Sequence, residues 1–143
     1  MKNIVITRSK SQISDISEII TELGMNPIEY PCIEVDSTNY KKNLLAELTK
    51  LDCYEWILFT SRNTIQVLNE IILENKIDIN WSKIKVGAVG PETNKMLINT
   101  FEIKKVFTPM KSGVKNFIEE LPILKHERVL VPQSKVADNE IVE

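Results

Sequence analysis

The chain has 143 residues, 43% hydrophobic and 27% charged, an ordinary globular composition with enough apolar side chains for a real core. A net charge of −2 and a pI of about 5.6 leave no basic stripe for nucleic acid. No apolar run approaches the roughly 18 residues of a membrane span, and the opening MKNIVITRSK lacks the apolar core and cleavage site of a signal peptide, so a cytoplasmic protein is expected.

Residues 3–7 (NIVIT) form a β-branched run suited to a buried parallel strand. After a polar turn, Ile13, Ile16, Ile19, Ile20 and Leu23 recur at helical spacing, and Gly24 follows where a helix end favours glycine. Residues 26–30 read as extended until Pro31, which has no N–H to donate to a sheet. Residues 33–36 are expected to be extended, with a hinge over 30–36. Residues 41–51 form a predicted helix with Leu44, Leu45, Leu48 and Leu51 inward, and Lys41-Lys42 reads as its solvated start. The run 56–60 is the next buried strand, and Ile65, Leu68, Ile71 and Ile72 then mark a long helix. A loop carrying Trp81 precedes a strand over 85–89, and Gly90-Pro91-Glu92-Thr93 opens a helix ending near Asn99. Residues 105–108 are extended. Ser112 opens a helix with Val114, Phe117, Ile118 and Leu121 inward, Pro122 stops it, and 128–131 is the last clear strand before Pro132. Residues 133–143 read as a loop and a first helical turn with no strand to follow, so a chain cut short is expected. The alternation of strand and helix predicts an α/β fold: a parallel sheet with helices on both faces, in flavodoxin-like units.

Several chemistries are excluded cheaply. The single histidine, His126, rules out a zinc site built on several histidines and reads as a solvated loop residue rather than a triad member. Neither GxGxxG nor GxxxxGK(S/T) occurs. Cys32 and Cys53 form no CxxC pair and read as two reduced, buried thiols. What remains is a series of hydroxyl-bearing turns after strands: Thr7-Arg8-Ser9, Thr60-Ser61-Arg62-Asn63, Gly90-Pro91-Glu92-Thr93, and Thr108 with Ser112-Gly113. In open α/β sheets ligands sit at the carboxyl ends of strands, and helix N-termini there attract anions. Such a crevice suits a ligand bearing several carboxylates, although Ser, Thr and Asn are also ordinary helix caps, and Arg8 and Arg62 could be surface ion-pair partners.

These stretches resemble, in order, the uroporphyrinogen-III synthase family. IVITRS is similar to (V/I)-L-(V/I)-T-R-P, and YPCIEV to P-(L/I)-I-E. WILFTSRNTIQVL resembles D-(W/Y)-(I/L)-(I/L)-F-T-S-x-N-(A/G)-V, and KIKVGAVGPETNKML resembles K-(I/V)-A-A-V-G-x-x-T-A-x-x-L. SGVKNFIEEL and RVLVPQS are similar to two later motifs, so the resemblance covers residues 3–134. Ser9 stands in place of the usual proline, Thr64 in place of a small residue, and Gln133 where arginine or lysine is common.

The resemblance implies two α/β domains joined by an extended two-stranded ladder, one formed from both ends of the chain and the other inserted. Residues 1–35 would open the split domain, and 36–143 would be most of the inserted one. It implies cyclisation of a linear hydroxymethyl tetrapyrrole with loss of water and inversion of the last pyrrole, with no metal or organic cofactor. Thr7, Arg8, Thr60, Ser61, Asn63, Gly90, Thr93 and Ser112 would hold the acetate and propionate groups. No general acid can be named, and a shortened chain is expected to be impaired. Beyond the tetrapyrrole, neither nucleic acid nor membrane is an expected partner. Exposed edges, with Ile4, Ile6, Ile16, Ile19 and Ile20 short of cover, are expected to drive self-association. The competing reading is a non-catalytic flavodoxin-like binding module or an inactive remnant of the enzyme.

Overall fold

A computed structural model describes residues 1–32 and 38–133 of the chain. The expectations for 33–36, for most of the hinge, and for the chain after Gln133 lie outside those residues. Two compact units are present, Met1–Ser37 and Thr38–Glu143. Among the described residues no helix is long and apolar enough to cross a membrane.

In the first unit the β-branched run forms β1 (Asn3–Ile6), followed by α1 (Lys10–Glu22) and β2 (Asn26–Glu29). The strands are parallel, with Asn3 opposite Asn26 and Ile6 opposite Glu29. Pro27 is tolerated in β2 because, among the described residues, that strand pairs with β1 alone. Ile13 and Ile20 turn one stripe of α1 onto Ile6, with Ile4, Ile16 and Met25 packed around them. The helix ends at Gly24, whose φ of +72° suits a residue without a Cβ, and Met25 N–H donates back to the Ile20 carbonyl at 3.1 Å. This packing corrects the expectation of an uncovered isoleucine face: Ile6 and Ile20 are buried, Ile4 and Ile16 partly so, and only Ile19 of that set is exposed. The apolar surface left open instead includes Val5 and Ile28, which face each other in register.

The second unit contains α2 (Thr38–Leu48), β3 (Trp56–Phe59), α3 (Arg62–Asn75), β4 (Lys85–Ala88), α4 (Pro91–Phe101), β5 (Val106–Phe107), α5 (Val114–Glu120) and β6 (Val129–Leu130). Its four strands are all parallel, in the order β5-β4-β3-β6. All four residues of β3 are buried, as a central strand covered on both faces requires. On one face Ile57, Phe59, Val86 and Ala88 meet Ile65, Leu68 and Ile71 of α3, Leu97 of α4 and Leu48 of α2. On the other, Trp56 and Leu58 pack on Phe117 of α5. Helices therefore cover both faces, as the alternation predicts. Gly87 makes the second face possible, since a Cβ there would lie 2.8 Å from Leu58 Cδ2 and 2.9 Å from Phe117 Cζ.

Local departures have local causes. The helix expected over 41–51 runs three residues earlier, because Thr49 turns its hydroxyl onto the Ala46 carbonyl at 2.8 Å and a 3-10 turn, Leu51–Cys53, follows. Leu51 stays buried in that turn. Lys41 is not a free solvated end: it pairs with Glu70 at 3.1 Å and Glu74 at 3.0 Å, and these hydrogen bonds raise its pKa. Both thiols are exposed, which overturns the buried reading. Cys53 closes a turn whose inward residue is Leu51, and Cys32 lies beyond the last residue of β2. Ile118, expected inward, is 42% exposed, because the seven-residue α5 has one narrow contact stripe and Phe117 fills it.

Candidate functional site

Parallel strands place every carboxyl end of the four-stranded sheet along one edge, and the predicted turns of the second unit lie there. β3 is followed by Thr60 and Ser61, both half-buried. Ser61 is the N-cap of α3, with extended backbone, and its Oγ accepts from the Asn63 N–H at 3.2 Å. That bond occupies an acceptor and leaves the hydroxyl proton to donate outward.

The next turn is built by two chain segments. Gly90 caps α4, and Pro91 opens the helix where its missing N–H costs nothing. Val89 N–H donates to the Phe59 carbonyl at 3.0 Å, and Gly113 N–H to the Val89 carbonyl at 3.4 Å. The loop before α5 is thereby drawn across the end of β4. A Cβ on Gly90 would lie 3.2 Å from Ser112 Oγ, so this glycine lets the serine hydroxyl approach the start of α4. Gly113 itself has a φ of +128°, which a side chain would resist.

The structure thus gathers Thr60, Ser61 and Asn63 in one turn, and Gly90 and Ser112 in another on the same edge. Thr93 is 6% exposed, lodged within the first turn of α4. Thr7 and Arg8 belong to the first unit, exposed at the end of β1, where Arg8 Nη1 donates to Gln12 Oε1 at 3.0 Å. The helix N-termini of α3 and α4 carry partial positive charge from their free N–H groups, and with these hydroxyls the edge can accept anionic oxygens.

One pair on this edge escapes sequence reasoning. Asn94 Nδ2 donates to Thr108 Oγ1 at 2.9 Å, tying α4 to the end of β5. The oxygen of the same amide, Asn94 Oδ1, is buried without a partner among the described residues. Asn94 and Thr108 lie on separate elements, and only the pairing of β4 with β5 makes them neighbours.

The opposite edge is chemically different. Glu127 accepts from Trp56 Nε1 and from the Leu124 N–H, each at 2.9 Å, and pairs with Lys85. The Lys85 bond and then the Leu124 N–H hold its carboxyl down to about 2, well below the usual carboxylate range. Glu55 accepts from the Arg128 N–H at 2.6 Å, and the Arg128 guanidinium lies over Tyr54 at 4.9 Å. Tyr54 donates to Glu47 at 2.6 Å, which raises the phenol's pKa. A cavity of about 580 Å³ opens at this end between Leu51, Asp52, Tyr54, Asp78 and Lys83, and none of the predicted site residues lines it.

The comparisons with known proteins point in the same direction as the motifs. The family described as uroporphyrinogen-III synthase HemD matches residues 14–143. The chain is 31% identical to the porphyrin biosynthesis protein HemD of Ruminiclostridium josui, over 97% of this chain and 28% of that protein. It is 28% identical to a protein of Methanocaldococcus jannaschii described as a uroporphyrinogen-III synthase, over 90% of this chain and 52% of that protein. The chain therefore spans about half the length of one curated relative and little more than a quarter of the other. With the family match running through most of its length, the chain belongs to the uroporphyrinogen-III synthase HemD family.

Proposed function

We propose that the chain takes part in porphyrin biosynthesis as a uroporphyrinogen-III synthase, binding a linear hydroxymethyl tetrapyrrole along the carboxyl edge of its four-stranded sheet. The observation that carries this reading is the meeting of Ser61, Gly90 and Ser112 with two helix N-termini on one edge, in a chain of this family. Carboxylates are the substrate's commonest polar groups, and hydroxyls with backbone N–H donors bind them without a metal.

In this reading the Met1–Ser37 unit opens the family's split first domain, with its limit near residue 35, and Thr38–Glu143 makes up most of the inserted second domain. Thr7 and Arg8 hold carboxylates from the first, and Thr60, Ser61, Asn63, Gly90 and Ser112 from the second. Thr93 contributes through its backbone N–H, since its side chain is buried. The reaction loses hydroxide from the hydroxymethyl carbon of the activated terminal pyrrole; the cation left closes onto the last pyrrole at the far end, which is inverted and gives up a proton, so that water is lost overall. Because the unassisted reaction also cyclises, to the uninverted isomer, the protein's work is orientation of the two ends and support of the cation. That division of labour needs no organic cofactor and no strong acid–base pair.

The test has two parts. Purified protein is incubated with the linear tetrapyrrole and the isomers are separated, and uroporphyrin III is titrated against Ser61→Ala and Gly90→Val variants. Inverted isomer above the unassisted background, or binding weakened by those variants, supports the reading. Only the uninverted isomer, together with no saturable binding of the octacarboxylate, would overturn it.

A further inference from the structure

We propose that Gln133 is a specificity-determining contact of this carboxylate edge, acting with Thr60 across the switch point of the sheet; the inference rests on the reading above. The strand order β5-β4-β3-β6 means that the chain steps from β3 to β4 to β5 in one direction and then returns past β3 to build β6. The reversal falls between β3 and β6. In open parallel sheets the crevice that takes a ligand lies beyond the carboxyl ends of the two strands at that reversal. The turns that sequence reasoning selects follow β3, β4 and β5, so they flank only one side of it.

The other side is supplied by the end of β6. Trp56 lies opposite Val129, and Ile57 opposite Leu130. The pairing ends there, and the same register carried three residues further would bring Gln133 level with Thr60. Over that distance Val131 packs against the cluster of Trp56, Leu58 and Phe117, and Pro132 is buried. Thr60 and Gln133 are both half-buried. No hydrogen bond joins the Gln133 amide to another of the described residues. It therefore offers two N–H donors beside the Thr60 hydroxyl, with no fixed cation supplied by either residue.

Neutral donors of this kind recognise a carboxylate by hydrogen bonding rather than by bulk charge. A site built to hydrogen-bond a group discriminates against analogues that lack it, because the donors are left unpaired. The ligand group assigned to the pair is one carboxylate arm of the tetrapyrrole. Their joint effect is to favour ligands with the full set of carboxylates over those in which the short acidic arms are replaced by methyl groups.

The test uses the full chain, with uroporphyrin III carrying eight carboxylates and coproporphyrin III carrying four, titrated by fluorescence at two ionic strengths. Gln133→Leu removes the donors at similar size, and Gln133→Glu, nearly isosteric, replaces a donor with an acceptor. Each is expected to weaken uroporphyrin binding roughly fivefold to tenfold and to narrow the preference for eight carboxylates over four. Gln133→Arg is expected to recover or exceed the original affinity with a steeper salt dependence. Unchanged affinity and unchanged preference in the Leu and Glu variants, both folded by circular dichroism, would overturn this proposal alone. Absence of saturable binding by the unaltered chain would overturn this proposal as well, and, with only the uninverted isomer formed, the carboxylate reading on which it rests.

Discussion

The two edges of the four-stranded sheet are made of the same strands and treated oppositely. At the amino edge Glu127, Glu55 and Glu47 each accept a short or charge-assisted bond, from Trp56, Lys85, Leu124, Arg128 or Tyr54. Those groups are consumed in holding β3, β4 and β6 in register. At the carboxyl edge the hydroxyls of Thr60, Ser61 and Ser112 stand beside helix N-termini, and an amide oxygen, Asn94 Oδ1, is left without a partner among the described residues. A satisfied network rigidifies, whereas hydrogen-bonding groups left unpaired are what a ligand can use. One end of the sheet is fastened so that the other can afford to stay open.

That contrast can be broken by experiment. The largest effect is expected at the fastened edge: Trp56→Ala should cost about 3–5 kcal/mol, because a buried ring is lost and Glu127 loses its indole donor. Denaturant unfolding measures it, and octacarboxylate binding by the folded fraction should not change. Gly87→Ala, midway along β4, should cost about 1–3 kcal/mol, because the new methyl meets Leu58 and Phe117 from inside the sheet. A neutral result there would mean that α5 can withdraw. At the open edge the order reverses. Ser61→Ala should lower stability by only about 0.5–2 kcal/mol, the loss of a cap, while weakening octacarboxylate binding in calorimetry. If binding survives, Ser61 is a cap alone.

The smallest change concerns acid. The Glu127 carboxyl is lowered from 4.5 to about 2 in the folded protein. Its contribution to stability is thus fully present above the unfolded value and is lost as pH falls from about 4.5 towards 2. Glu127→Gln should flatten the pH dependence of the melting temperature in that window and lower the melting temperature near neutrality. An unaltered acid limb would mean that other carboxylates dominate it.

Much of the fold is legible in the sequence because burial on both faces leaves a plain signal. WILF has no polar residue, and a run of that kind between helical periodicities reads as a central parallel strand. Ile65, Leu68 and Ile71 fall on one stripe and are all buried. The turns are legible too, since Gly, Pro and Ser sit where caps require them. The failures occur where one residue competes with its neighbour for the same space. Ile118 lost to Phe117, Cys53 to Leu51, and Lys41 exchanged solvent for two glutamates one helix away. Periodicity reports a face, but it cannot say which member of a pair reaches the core.

By itself the sequence determined the alternation of strands and helices, the parallel sheet and a set of hydroxyl-bearing turns, because each depends on spacing along one chain; the family came from the resemblance of its motifs. Only the tertiary structure decided which turns share an edge. Ser112 meets Gly90, and Asn94 meets Thr108, through contacts between segments that the sequence keeps apart. The strand order did the rest: with β6 added beside β3 rather than beside β5, the reversal falls at Thr60. That order is set by which apolar faces α3, α4 and α5 can cover together, a packing balance summed over the whole unit and written in no single motif.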